Sequence, residues 1–443
     1  MYLNFRNLLY LISFLFIACP GSAQTEIFTY YDSTGHIDEK ITVQKNDTSV
    51  REGEYLKYFP EGELALKGNY SDGLRHGPFT EYYPSGVIRR EINFEKGYID
   101  GPMNVFDTSG TLIQTAEFRN DTIVGKVIQY YGDGTLQKES IFVKGIPHGL
   151  TKDYYPSGQV RETIEYKDGL QDGINKTFYE DGTLKSEAVY YRGLLDGEFK
   201  TYYPNGQLNT VYQNRRGEKT GGFRTYNDKG VLILEGSFLD GKLEGTTTAY
   251  FDNGKVKSVN QYKNGIRTGE STTFDQKGRL LRKSTFTNDG KDEQVTEFFS
   301  NGETKARKLL VEDAPIGKWT YYYHSGGDSL VENYTNGKLN GLRKIMDKKG
   351  NTMLEQSYTF GLISGIVKRF YPSGVLQEEI TYKSNRRHGP YRSFHANGQV
   401  EWAVQHDENK KVGEWILYDK DGDVERKENF DNNKVSKELN NSN

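Results

Sequence analysis

Tyr154-Tyr155-Pro156-Ser157-Gly158-Gln159-Val160 leads, four residues later, into Glu165-Tyr166-Lys167-Asp168-Gly169-Leu170-Gln171-Asp172-Gly173. The stretch reads as the end of one extended segment, a tight turn, a second extended segment and another glycine-flanked turn. Aromatic and β-branched residues favour a pleated, half-buried strand. Proline and glycine supply the fixed and the positive φ values that tight turns require.

The same unit recurs along the chain. Its first turn glycine appears at Gly62, Gly86, Gly110 and so on through Gly158 to Gly422, every 24 residues without insertion or deletion. Four positions before that glycine, fifteen of sixteen residues are Tyr or Phe, Met346 being the exception. Two positions after it an aliphatic dominates (Leu64, Ile88, Leu112, Val160), and eight after it another aromatic (Tyr70, Phe94, Phe118, Tyr166). Closing pairs such as Gly73/Gly77 and Gly169/Gly173 end many units. A constant period in this range is the signature of a repeat array.

One such hairpin cannot fold alone. Ordering each residue costs roughly 1–2 kcal/mol, and a buried aromatic returns only about 1.5–3 kcal/mol. Stability has to come from stacking on neighbours. The expected fold is therefore all-β, an elongated solenoid of stacked antiparallel β-hairpins with about sixteen units of 24 residues. At two strands per unit and about 4.8 Å per strand, it would extend on the order of 150 Å. Strand alternation puts positions +2 and +8, counted from the turn glycine, on one face. Positions −7 (Phe79, Trp319) and −4 differ in parity, which implies either two covered faces or a bulge.

The block Tyr70-x-x-Gly73-x-x-His76-Gly77 resembles the core of the MORN repeat, aromatic-x-x-Gly-x-x-x-Gly. Tyr202, Pro204, Asn205, Gly206 and Leu208 resemble the rhythm of the bacterial MORN-variant group, which includes antitoxin-like proteins of the YwqK type. The resemblance covers about residues 52–433. It implies a hairpin-stacked scaffold used for binding, and it supplies no catalytic residue. Tyr or Phe replaces the usual Trp, and Arg90 and Ile92 stand where the leading eukaryotic motif would be. Phospholipid binding is therefore carried over only weakly.

Residues 1–23 read as an export signal, with Arg6 before an apolar run from Leu8 to Ala18 and small residues Gly21-Ser22-Ala23 before the expected cleavage. The run is too short to span a bilayer. Cys19, the one cysteine, offers lipidation as the alternative; Phe16 and Ile17 make a poor lipobox and Pro20 an awkward following residue. Membrane attachment is expected only if Cys19 is lipidated. Residues 24–51 read as a lead-in with one degenerate unit at Gly35, 52–433 as the array and 434–443 as a polar tail. The units at Gly302, Gly326 and Gly350 lose the aliphatic to Thr304, Asp328 and Thr352, and Asp289 and Glu293 replace closing glycines.

With 58 Lys plus Arg against 61 Asp plus Glu, both signs interspersed, there is no basic stripe for nucleic acid. Low mean hydropathy alone would suggest disorder, but 33 Tyr and 23 Phe in phase with the glycines argue for a fold. His76, His148 and His388 share one repeat position, a structural pattern rather than a metal site. Asp419-Lys420-Asp421-Gly422-Asp423 resembles part of a calcium loop, yet Gly422 is a turn glycine. Gly236-x4-Gly241-Lys242 lacks the Ser or Thr and the helix of a phosphate loop. No catalytic constellation appears and no cofactor is implied, so the chain is not expected to be an enzyme.

What remains is a regular surface of aromatics. Tyr83, Tyr155, Tyr203, Trp319 and Tyr323 are candidates for an exposed binding surface; the alternative is aromatic ladders that only stabilise the sheet. The leading expectation is an exported scaffold, periplasmic or at the cell surface, that binds a protein partner at the envelope. A second is an array binding cell-wall glycan, since Gly317-Lys318-Trp319-Thr320-Tyr321-Tyr322-Tyr323 resembles the aromatic hairpins of choline- and glucan-binding repeats. A third, implied by the family alone, is an antitoxin-like binder that neutralises another protein.

Overall fold

The computed structural model describes residues 24–32 and 34–438. The stretch expected to be an export signal, with Cys19, lies outside the described residues. Contacts divide the chain into two units, one reaching Lys219 and including Asp228–Gly230, the other made of Thr220–Asn227 and Val231 onward. Both are all-β, with no helix among the described residues. In the first, Gly149–Tyr154 pairs antiparallel with Val160–Lys167, which pairs with Gly173–Phe178. In the second, Gly245–Tyr250, Val256–Lys263 and Gly269–Phe274 repeat the arrangement. The stacked hairpins expected from the period are present.

The first turn of each unit is closed by two backbone bonds. Tyr155 N–H donates to Gln159 O and Gly158 N–H to Tyr155 O, both at 2.8 Å. Gly158 has φ +84°, and a Cβ there would meet nothing within 4 Å. A side chain at this site thus pays in backbone conformation alone, about 1–2 kcal/mol, and more for a β-branched residue. Gly158→Val should lower stability by that amount, with amide exchange rising in the adjoining hairpins before distant ones. An unchanged melting profile would contradict the turn assignment. At the second turn Asp168 (φ 50°) and Gly169 (φ 84°) are both left-handed, the two-residue type I′ geometry that matches strand twist.

Two bulges per unit set the faces. Asp153 opposes Glu162 while Tyr154 opposes Val160, leaving Arg161 unpaired. Opposed residues share a face, so this slip puts position +2 with −4 and separates it from +8. The expectation that +2 and +8 share a face is corrected by that extra residue. Of the two readings of the −7/−4 parity, the one with two covered faces holds: the strand alternates without interruption from Thr151 to Tyr154, and the extra residue lies on its partner. The Tyr154 hydroxyl, for instance, donates to Glu139 Oε2 at 2.8 Å on the second face. Burial and this bond push its pKa up to about 12.

The second bulge contains the closing glycine, Gly173, where the pairing moves from Tyr166 opposite Gln171 to Thr163 opposite Lys176. In the irregular unit the extra residues sit in the loop instead. Thr287 opposes Asp292 and the register runs unbroken to Arg282 opposite Glu297. That is why Asp289 and Glu293 replace glycines there: with no bulge inside the strand, Glu293 is an ordinary strand residue.

At the ends, Gln24–Tyr30 and Ile37–Gln44 form a hairpin that pairs onward with Arg51–Tyr58. Residues Lys434–Glu438 pair with Val424–Asp431, so the strand extends into the stretch expected to be a polar tail.

Packing concentrates on the −7/+6/+8 face. Tyr55, Tyr70, Phe79 and Phe94 form an edge-to-face series with centroids 5.0–5.7 Å apart. Phe79, 1% exposed, is its centre, and Ile92 and Met103 join the same cluster.

Candidate binding surface

On the −7/+8 face each hairpin tends to bring two rings together. Phe79 meets Phe94, Phe223 meets Phe238 and Trp319 meets Tyr334, with centroids 4.8–5.0 Å apart. A cation from the preceding turn often covers the pair. Arg51 lies over Tyr55 and Tyr70, Arg75 over Phe79 and Phe94, and Lys411 over Trp415 and Phe430, at 4.1–5.3 Å from the ring centroids. Such contacts contribute about 0.5–2 kcal/mol, depending on exposure. They also occupy the ring faces, so much of this aromatic surface serves the scaffold.

The five candidate aromatics are all half-buried. The hydroxyls of Tyr83, Tyr155 and Tyr323 donate to the carbonyls of Phe106, Phe178 and Met346, 23 residues ahead, at 2.7–3.0 Å. Trp319 Nε1–H donates to Leu309 O at 2.9 Å. The structure does not bring the five into one cluster; it distributes them at one repeat position, plus Trp319 on the other column. Tyr131, Tyr179 and Tyr371 make the same tie to the next repeat. Removing one hydroxyl from a partly buried bond costs about 0.5–1.5 kcal/mol. Tyr155→Phe should therefore loosen the contact between consecutive hairpins by that amount in urea unfolding; a neutral result would mean that water replaces the bond.

Backbone amides tie the opposite turns. Gly73 N–H donates to Arg51 O, Gly169 to Pro147 O and Gly337 to Pro315 O, each 22 residues back, at 2.9–3.0 Å. Position +14 works beside them. Where it is acidic, it accepts from the next repeat's turn, as Asp172 Oδ2 does from Arg192 N–H at 3.2 Å. Where it is histidine, it faces an acid of that turn, as His388 Nδ1 faces Asp407 Oδ1 at 3.0 Å. His76 and His148 lie 3.6 and 3.9 Å from Glu95 and Asp168.

Asp419 Oδ1 accepts the N–H groups of Asp421 and Asp423, both at 2.9 Å, and these backbone bonds hold its pKa below the usual carboxylate range. The apparent calcium fragment is a capped turn. Among the described residues no three His, Cys, Asp or Glu side chains converge as a metal site would require.

A different column is the exposed one. Leu74, Tyr98, Ile146, Leu170 and Leu194 are all twelve residues past a turn glycine, in five of six consecutive units. Each is 47–54% exposed. Four of them lean onto the turn glycine of the next unit, where Tyr98 has Asp121 instead: Leu74 Cδ2 lies 3.4 Å from where a Cβ of Gly97 would be, and Leu170 Cδ2 3.6 Å from that of Gly193. The result is an apolar ridge along the turns of the first unit. Its signal lies in the period, directly after closing glycines such as Gly73 and Gly169.

Nine segments match the family model described as MORN repeat variant: 51–72, 75–96, 147–168, 171–191, 195–212, 243–264, 363–384, 387–401 and 411–432. All begin at the same phase of the 24-residue period. The chain belongs to the MORN-repeat-variant family. The unmatched intervals also form antiparallel hairpins, as at Gly317 opposite Tyr334, although the unit at Gly278 carries its extra residues in the loop. No curated protein matches the sequence.

Among solved structures, the chain is similar to one in the crystal structure of TcdB2-TccC3-Cdc42, at 12% identity over 92% of this chain and 30% of that chain, TM-score 0.14. It is also similar to one in the Photorhabdus luminescens Tc holotoxin pore, at 11% identity over 92% and 28%, TM-score 0.16. The chain thus spans less than a third of those chains. Similarity at this level carries no argument about function.

Proposed function

We propose that the protein is an exported, non-enzymatic repeat scaffold that holds a protein partner at the cell envelope. The observation that carries this reading is the apolar ridge of Leu74, Tyr98, Ile146, Leu170 and Leu194. Soluble monomers rarely expose extended contiguous apolar surface, and interaction sites commonly do. MORN repeats are generally binding scaffolds, and the N-terminal signal pattern supports export.

The test is in-cell photo-crosslinking from position 170 of the full chain, beside a variant with all five ridge residues changed to serine. A discrete protein adduct on the exported chain, lost in the serine variant while its circular dichroism is unchanged, is the expected result. An adduct that persists in the serine variant would remove the ridge from the reading. The absence of any protein adduct, or a chain retained in the cytoplasm, would overturn the scaffold at the envelope.

A further inference from the structure

Two of the three tryptophans, Trp402 and Trp415, lie close together in sequence and in space. Their rings meet edge to face, 6.4 Å between centroids. His406 packs edge-on against Trp415 at 5.4 Å and Tyr391 at 6.2 Å. The departures from the repeat create this cluster. Position +8 holds His406 where most units have Tyr or Phe, and position +4 holds Trp402 where no other unit has an aromatic residue. With Val404, Glu378 and Arg387 these side chains line a cavity of about 270 Å³.

Unlike the tyrosine ties, several hydrogen-bonding groups here are uncommitted. His406 is 7% exposed, and its Nδ1 is buried with no hydrogen-bond partner. Such an atom costs about 1–3 kcal/mol unless something satisfies it. Trp415 Nε1–H donates to Gln405 O at 3.3 Å, whereas the Trp402 indole N–H and the Arg387 guanidinium have no hydrogen-bond partner among the described residues. Glu378 is held loosely, 3.3 Å from Arg369 Nη1 and 3.5 Å from the Tyr391 hydroxyl.

We propose that this cavity binds a saccharide, with one pyranose ring stacked against Trp402 and its hydroxyls taken by Glu378, Arg387 and His406. The volume of about 270 Å³ lies just below the range of drug-sized ligand sites, roughly 300–1,000 Å³, and suits a single ring. Indole faces accept the C–H-bearing face of a sugar, while the same ring's hydroxyls both donate and accept. The lining offers both roles: a carboxylate accepts, a guanidinium donates, and a neutral imidazole does one of each. Burial first, then Arg387 and Lys411, lower the His406 pKa and keep the ring neutral.

The charges exclude the commonest alternative for an aromatic cage. A quaternary ammonium would meet Arg387 and Lys411, the latter 4.1 Å from the Trp415 ring centroid, against one carboxylate already beside Arg369. A purely apolar guest would leave the buried His406 Nδ1 unpaired. The inference stands independently of the protein-scaffold reading.

The test is titration of intrinsic fluorescence of the full chain carrying Trp319→Phe, so that only Trp402 and Trp415 emit. The probes are chitotriose, maltotriose, glucuronic acid and choline chloride. A saturable change with at least one sugar, at a dissociation constant of about 0.1–10 mM, is expected. Isothermal titration of the otherwise unaltered chain should give the same constant. Trp402→Ala should weaken it at least tenfold, and Glu378→Gln, which leaves the aromatic packing intact, severalfold. A response confined to the neutral sugars or to glucuronic acid identifies the ring's charge. No saturable response to any sugar, a response that survives both substitutions, or preference for choline would overturn the proposal.

Discussion

Phe79→Ala is expected to remove about 3–5 kcal/mol from the first unit, the usual loss for a fully buried aromatic. Phe79 is 1% exposed and is the largest fully buried side chain among the described residues. Its ring touches Tyr70 at 5.7 Å and Phe94 at 5.0 Å, and Arg75 covers it at 5.3 Å. The neighbouring strand contributes Gly68, which has no side chain to collapse into the void, so the cavity persists and the cost stays near the upper end. Urea unfolding of the chain should show the loss, with amide exchange rising first in residues 51–106. A change below about 1 kcal/mol would mean that the ring does not carry the core.

Gly68→Val should be nearly as damaging, for the opposite reason. A Cβ at Gly68 would sit 2.3 Å from Phe79 Cε1 and 2.4 Å from Cδ1, well inside contact distance. Gly68 is not among the left-handed glycines, so backbone strain plays no part and the effect is overpacking, about 3 kcal/mol. Because one ring causes the clash, shrinking it should relieve the clash. The double variant Gly68→Val/Phe79→Leu is expected to be more stable than the sum of the two single losses by about 1–2 kcal/mol. Strict additivity would show that the strand simply shifts to make room. Gly236 faces Phe223 in the second unit, where a Cβ would lie 2.7 Å from the ring and from Thr247 Oγ1. At these two positions a large ring is accommodated by a glycine across the ladder.

Much of the fold was legible because the period imposes it. Turn glycines such as Gly158, strand signals and hairpin stacking all follow from local chemistry repeated in phase. The faces were not, since one bulged residue, Arg161, reverses the assignment of everything beyond it, and its presence depends on the register of backbone bonds. Asp289 and Glu293 marked an irregular unit, but only the pairing of Thr287 with Asp292 shows that the extra residues moved into the loop. At the candidate surface, Tyr155 was visible as a repeating aromatic; that its hydroxyl reaches the Phe178 carbonyl required the stacking distance between hairpins. The ridge beginning at Leu74 was readable from the same period. The cavity at Trp402 was not, because Glu378, Tyr391 and Trp415 come from different strands and meet only when hairpins pair.

The ties between repeats carry a last consequence. Tyrosine hydroxyls reach 23 residues forward and turn amides 22 residues back, so each joins a repeat only to the one beside it. Excising residues 86–109, or copying them in tandem, returns every amide and hydroxyl to an equivalent carbonyl. Cutting half that length leaves them facing side chains of the wrong phase. The array can grow or shrink by whole copies through duplication and loss of a coding segment. The fold sets the step of the array and leaves the number of copies open.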